Sequence, residues 1–446
     1  MEAEELDDGS NLSGLKINGA FHNSVTSADI IVTTVDSQLW TLVSQGDLFI
    51  SKDSTPLTNR QLLGGSLGEA ILRLQFHAEN EDVDVTDIQI YSSGSTVTSV
   101  DRLELYKAGE STPFALATIG GCGSDDVLTQ NPGVQGSTTI EQFCANMESR
   151  QLVVEEGQDQ DVIIRAKMKT DVNGGVSNQI VWLFIDNQAV SDESNGSGAI
   201  RARGDESSNN LTANDGDSTA EGEIFIGRTS ANATNAVING NKNISVLARI
   251  TSITNASVDA NGSAVPSGVS DIGAFKFGAA AHSNSKNGLN DAVLSGLIFQ
   301  VNATNVNISA STFKLYNKAN SADGNKVSCN GYNSTTKLVG TASGTFVVHC
   351  PALKSNTLID TEIDQGDDVT LVLEADVTNP SSSTVGAVAT LQVSLTAFNS
   401  ITRTSFVLGG AATASSIEWS DVDTATVTFT WVEYPETTVK STSYQS

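Results

Sequence analysis

The chain has 446 residues, of which 39% are hydrophobic and 17% charged, and 52 acidic residues against 24 basic ones give a formal net charge of −28. Phosphate binding needs clustered Lys and Arg, so this balance excludes nucleic acid and disfavours an anionic membrane surface. No apolar run reaches the roughly 18 residues a membrane helix needs, and the Ser, Thr, Asn and Gly that fill the composition suit short strands joined by turns.

Met1 is followed by Glu2, Glu4, Glu5, Asp7 and Asp8, the opposite of a basic leader, so the chain reads as a mature or trimmed form. Residues 1–38 make an N-terminal segment in which Ile30-Ile31-Val32 is strand-like. Such a strand can complete the sheet of the following repeat or be donated to a neighbouring molecule. Repeat one is expected over 39–230. Gly64-Gly65-Ser66-Leu67-Gly68 spells the nucleophile-elbow pattern, but that motif needs a helix after it, and the β-patterned Ile71 to Ala78 follows. Leu72, Leu74, Phe76 and Ala78 share one face of that strand, with Arg73, Gln75 and His77 on the other. Glu79, Glu81, Asp82 and Asp84 crowd the next turn. Further on come Leu103 to Lys107, the pair Cys122 and Cys144, a Gly157 turn before Ile163 to Ala166, and a dense apolar run from Gln179 to Ile185 that reads as covered on both sides. Arg203-Gly204-Asp205 is an integrin-type tripeptide of little weight in a Gly/Asp-rich chain, and Asn214, Asp215 and Asp217 occupy a glycine-containing loop.

A polar stretch from Thr229 to Asn241 reads as a linker. Repeat two, expected over 240–434, then returns the same landmarks in the same order. Phe275-Lys276-Phe277 answers Leu74-Gln75-Phe76, and Phe313 to Asn317 answers Leu103 to Lys107. Cys329 and Cys350 answer the first cysteine pair. Gly366-Asp367-Asp368 before Val372 to Ala375 answers the Gly157 turn, and Asp421-Val422-Asp423 answers Asp215-Gly216-Asp217. Ala425, Val427, Phe429 and Trp431 alternate with Thr424, Thr426, Thr428 and Thr430 as a half-buried strand. Residues 435–446 read as a polar tail.

Four cysteines allow three pairings. The duplication selects Cys122–Cys144 and Cys329–Cys350, each within its own repeat, and each closure is worth on the order of 3 kcal/mol in an oxidising compartment. The fold expected is all-β: two tandem immunoglobulin-like β-sandwiches, mostly antiparallel, with little helix and about eight to ten strands each.

Four histidines, His22, His77, His282 and His349, stand at no metal-ligand spacing, and no phosphate loop or dinucleotide fingerprint occurs. No catalytic residue is assigned, and the chain is read as not an enzyme; a glycosidase or peptidase is the remaining enzymatic option. The chemistry the sequence does offer is oxygen-ligand sites for structural Ca²⁺, at Asn214, Asp215 and Asp217 and at Asp421 and Asp423. Sequons at Asn195, Asn210, Asn232, Asn243, Asn255, Asn302, Asn307 and Asn333 permit glycosylation wherever they reach the surface.

Leu72 to Asp84 (LRLQFHAENEDVD), Phe143 to Val153 (FCANMESRQLV), Ala199 to Phe225, Ser270 to Ser283 and Phe429 to Ser446 resemble surface proteins of ultra-small bacteria of the candidate phyla radiation. The resemblance spans most of both repeats and carries no catalytic residues. It implies an exported β-sandwich protein of a cell-surface layer or appendage, outside the cell. The resulting expectation is a structural subunit whose partners are copies of itself and cell-envelope glycans, without nucleic acid and without membrane insertion. A monomeric adhesin or carbohydrate-binding surface protein is the alternative.

Overall fold

Period-two alternation decides the local structure. In the computed structural model Leu72, Leu74, Phe76 and Ala78 are fully buried while Arg73, Gln75 and His77 are half-buried on the opposite face. The structure describes residues 46–446 apart from 94–97, 121, 123–139, 148–149, 187–198, 214–221, 229–235, 257–263, 285–289, 334–335, 382–384, 400–405, 409–411 and 423–425. The N-terminal segment 1–38 and the Asn214, Asp215, Asp217 and Asp423 positions therefore lie outside the described residues, as do Asn195 and Asn232.

Repeat one contains β1 (Asp47–Lys52), β2 (Gln61–Leu63), β3 (Leu67–Glu79), β4 (Val83–Ser93), β5 (Val100–Lys107), β6 (Ala115–Ile119), β7 (Ile140–Asn146), β8 (Val153–Val154), β9 (Asp159–Met168), β10 (Ile180–Ile185), β11 (Ile200–Gly204), β12 (Thr212–Ala213), β13 (Glu223–Ile226), β14 (Ile238–Asn239) and β15 (Asn243–Val246). One layer runs β12-β13-β1-β3-β9-β5 and the other β7-β4-β10-β15-β2, with β6 joining them by pairing with both β5 and β7. The two layers close over one core that includes Leu74, Phe76, Ile90, Leu105, Phe143 and Phe184.

Repeat two contains β16 (Ala248–Asn255), β17 (Gly268–Ala281), β18 (Ala292–Ser309), β19 (Lys314–Asn317), β20 (Val327–Ser328), β21 (Asn330–Tyr332), β22 (Thr341–Cys350), β23 (Glu362–Ile363), β24 (Asp368–Asn379), β25 (Thr390–Thr396), β26 (Phe406–Leu408), β27 (Ala412–Ala414), β28 (Ile417–Asp421), β29 (Thr438–Lys440) and β30 (Tyr444–Gln445). Its second core gathers Phe275, Phe299, Phe313, Leu373, Leu395 and Trp419. Among the described residues helix is confined to single 3-10 turns at Asp171–Asn173 and Asp323–Asn325. The chain is all-β.

The duplication is visible as shared register. Leu74 pairs with Val162 and Leu105 with Ile164 in repeat one, and Phe275 pairs with Leu371 and Leu315 with Leu373 in repeat two. Four expectations need correction. The stretch read as a linker is partly sheet: β14 and β15 pair with β10, so repeat one runs to Val246 and Leu247 alone separates it from β16. The polar tail is not a tail, because β29 and β30 pair with β25 and bury Val439 and Tyr444. In the described part of the run read as a half-buried strand, Thr426 to Trp431, burial alternates but the residues form a single bridge, Phe429 to Trp419, instead of a strand. Ile180 is also 37% exposed, so β10 is covered on both sides only from Val181 onward, where Trp182 stays half-buried.

Candidate functional site

Each disulfide lies inside one repeat: Cys122 bonds Cys144 and Cys329 bonds Cys350, with Cα separations of 5.1 and 4.6 Å. Cys144 on β7 faces Gln89 of β4, and Cys350 on β22 faces Leu297 of β18. Each bridge thus fastens a neighbour of the long central strand. Cys329 and Cys350 are 4% and 0% exposed, whereas Cys122 and Cys144 are half-buried.

The two Leu-Tyr strands carry matching polar clusters. The Tyr106 hydroxyl donates to Glu104 at 2.6 Å and the Arg165 guanidinium lies 5.0 Å over its ring. The Tyr316 hydroxyl donates to Asp271 at 2.8 Å with Lys326 Nζ 5.0 Å over its ring. Burial and the carboxylate partner push the Tyr106 hydroxyl up to about 12, and burial with Asp271 raises Tyr316 as well. Both phenols stay protonated as hydrogen-bond donors. Lys326 also reaches Glu374 at 2.6 Å, and that contact raises its pKa and fixes it as an ammonium ion. These clusters secure strand packing.

The acidic loops behave differently from their sequence reading. Asp421 is fully buried, and its Oδ2 accepts from the Ser177 hydroxyl and, at 3.2 Å, from the Leu247 N–H. It is a hydrogen-bond acceptor between repeats and not an exposed cation ligand. In the turn after β3, Glu81 is 5% exposed and accepts the N–H groups of Gly46 (2.7 Å), Glu206 (3.1 Å) and Ser207 (2.8 Å) and the Ser207 hydroxyl (2.8 Å). Burial alone raises its pKa, but the Ser207, Gly46 and Glu206 donors outweigh that and hold it below the ordinary glutamate value. Asp82 accepts from Glu156 N–H, and Asp84 from Arg150 N–H. These carboxylates are occupied by backbone. The Arg-Gly-Asp tripeptide is tied down in the same place, with Asp205 paired to Arg150 and Arg203 3.4 Å from Asp84.

Asp291, Glu362 and Asp364, which the sequence reading did not single out, place carboxylate oxygens within 4.8 Å of one another. Burial first, and then like charge, raises the pKa of Asp291 and of Glu362. The oxygen-only donor set fits Ca²⁺. It borders an open cleft of about 680 Å³ lined by Asn317, Lys318, Asp360, Glu362, Asp367 and Thr370 among others. The three acids are far apart in sequence or hidden in turn residues, so no spacing announces them. Among the sequons, Asn210, Asn255 and Asn333 are exposed and Asn302 and Asn307 half-buried. Asn243 is fully buried, its amide donating to Val181 and Asn241 carbonyls, so the fold leaves no room for a glycan there. Ser66 of the elbow-like motif donates to the Leu63 carbonyl in a turn that leads into β3, with no helix.

The most extensive polar constellation is the seam between repeats. Leu247 N–H donates to Ser177 Oγ at 2.9 Å as well as to Asp421. Glu433 accepts Arg60 Nη1 and Gln61 N–H, each at 2.8 Å, and Arg249 lies 3.5 Å from it. Gln61 Nε2 donates to the Trp431 carbonyl at 3.0 Å, and His282 packs against Gly65. With one buried residue as connector and charge-assisted bonds across the joint, the two repeats form one body.

No protein-family model and no curated protein matches the chain. Among solved structures it is similar to the C-terminal domain of the AgI/II polypeptide BspA of Streptococcus agalactiae, at 6% identity, 78% of this chain, 94% of that one and a TM-score of 0.19. It is also similar to a Corynebacterium diphtheriae protein described as membrane-anchored, at 8% identity, 88% and 90% coverage and a TM-score of 0.15. CfaE, the adhesive subunit of the CFA/I fimbria of enterotoxigenic Escherichia coli, follows at 9% identity, 91% and 88% coverage and a TM-score of 0.17. Likenesses this distant carry no argument about this chain's fold or role.

Proposed function

We propose that this chain is an extracellular structural protein that self-assembles into a cell-surface lattice or filament, braced by Ca²⁺ and in contact with copies of itself and with envelope glycans. The observation that carries the reading is the seam: two disulfide-fastened sandwiches are locked into one body through buried Asp421 and Ser177 and the Arg60–Glu433–Arg249 cluster. A stiff repeat unit transmits geometry from one contact to the next, which a lattice requires. Cystines fit an oxidising compartment. The resemblance of the long segments in both repeats to surface-layer and appendage proteins agrees with that location.

A second reading, an adhesin or carbohydrate-binding protein, is favoured by the open cleft beside Asn317, Lys318 and Thr370, whose amide, ammonium and hydroxyl groups suit sugar hydroxyls. Electron microscopy of the purified chain discriminates the two. Ordered polymers support the structural subunit, while isolated particles together with hits on a glycan array support the adhesin.

A further inference from the structure

The two repeats differ at one sheet edge. In repeat one the sheet continues past β1, because β13 pairs with it in parallel through Leu48 to Ile224, Phe49 to Phe225 and Ile50 to Ile226. The counterpart of β1 in repeat two is β16: Ile50 faces Phe76 on β3, and Ile253 faces the equivalent Phe277 on β17. Among the described residues no strand pairs with the outer edge of β16. The cause is in the chain path. Repeat one supplies β12 and β13 between β11 and β14, whereas repeat two has only a short passage from Asp421 to Thr438. That passage is already used, Phe429 bridging Trp419, Trp431 accepting from Gln61, and Glu433 holding the seam.

The outer stretch of β16 is half-buried at Thr251 and Ser252 and exposed at Thr254 and Asn255, and its Ile253 is anchored in the core. It carries no proline or lysine that would blunt the edge, and its outer backbone groups, unpaired by any strand among the described residues, form a template for strand addition. We propose that this edge accepts, in parallel, residues Asp29 to Val32 of a second copy. The occupant is argued from β13 itself. Glu223-Ile224-Phe225-Ile226 is one acid followed by three apolar residues, and Asp29-Ile30-Ile31-Val32 repeats that pattern within the chain ahead of β1. By the β13 register, Val32 falls beside Ile253 and Ile31 beside Ser252. A contact from the front of one copy to repeat two of the next is heterologous, so it propagates and builds a filament. This inference rests on the self-assembly reading and specifies its contact.

The test mixes two full-length single-cysteine variants, Ile31→Cys and Ser252→Cys, with a short bismaleimide linker that leaves the native disulfides intact. A covalent species of twice the chain mass is expected from the mixture, and its loss when Ser252→Cys is replaced by Val269→Cys, a 67% exposed control on β17. Equal cross-linking to the control overturns the proposal. So does the absence of cross-linked dimer in samples that form polymers under the microscope, which leaves self-assembly standing. Absence of polymers at every concentration overturns both the contact and the self-assembly reading.

Discussion

Replacing Glu81 by Gln isolates the best-defined charge in repeat one. In the native turn each carboxylate oxygen accepts two hydrogen bonds, one from Gly46 N–H and Ser207 Oγ, the other from Ser207 N–H and Glu206 N–H. Glutamine keeps one acceptor oxygen and aims an amide donor at the remaining donors. At about 1.5 kcal/mol for each bond to a charged acceptor, losing two costs about 3 kcal/mol. For one transition of both repeats, at about 2.1 cal/mol/K per residue, that is a fall in Tm of roughly 3–4 °C. The folded carboxyl titrates below the ordinary glutamate value of 4.5, so its stabilisation is complete above that value and lost as pH falls through the folded pKa. Differential scanning calorimetry of both proteins from neutral pH downward should therefore show a large gap that closes in acid. A variant that melts with the native protein at neutral pH, or a gap that does not depend on pH, refutes the reasoning.

Asp421→Ala should remove the buried acceptor at the seam and leave the Ser177 hydroxyl without its acceptor, while Leu247 N–H keeps Ser177 Oγ, costing about 1–3 kcal/mol and splitting a single calorimetric transition into two. Mild reductant followed by alkylation and mass spectrometry should open Cys122–Cys144 before Cys329–Cys350, since the second bridge is buried and thiolate attack needs access. Ca²⁺ should raise Tm, and Glu362→Gln should abolish that rise. In chelator the same variant should melt above the native protein at neutral pH, because burial and the neighbouring Asp291 raise the folded pKa of Glu362, and this cost is relieved as acid passes that value. Peptide mapping after expression in a glycosylating host should find Asn243 unmodified whatever happens at the exposed Asn210, Asn255 and Asn333.

The fold class, the duplication and the disulfide pairing are legible in sequence for one physical reason: long strands with one buried face impose period-two patterns, and a repeated core repeats them. Leu72 to Ala78 and its counterpart around Phe275 are such strands. The strand count is not legible, because elements of two or three residues such as β8, β12 and β14 are too short to display a period. The linker and tail failed for a related reason. Their polar residues flank only a few inward positions, Ile238, Val439 and Tyr444, and composition averages those away. Acidic residues mislead most. Asp421 and Glu81 look like solvated ligands in sequence, yet each is buried as an acceptor for distant donors that only the folded chain brings near. Asp291, Glu362 and Asp364 are the converse, a cluster assembled by the sheet with no local signature.

Sedimentation velocity of the purified chain over a wide concentration range, with negative-stain images of the same samples with and without Ca²⁺, bears most directly on whether this is a self-assembling subunit. Sedimenting species should grow with concentration, and the images should contain regular filaments or sheets of repeating two-sandwich units. A single monomeric boundary at every concentration, with isolated particles on the grid, would contradict the account.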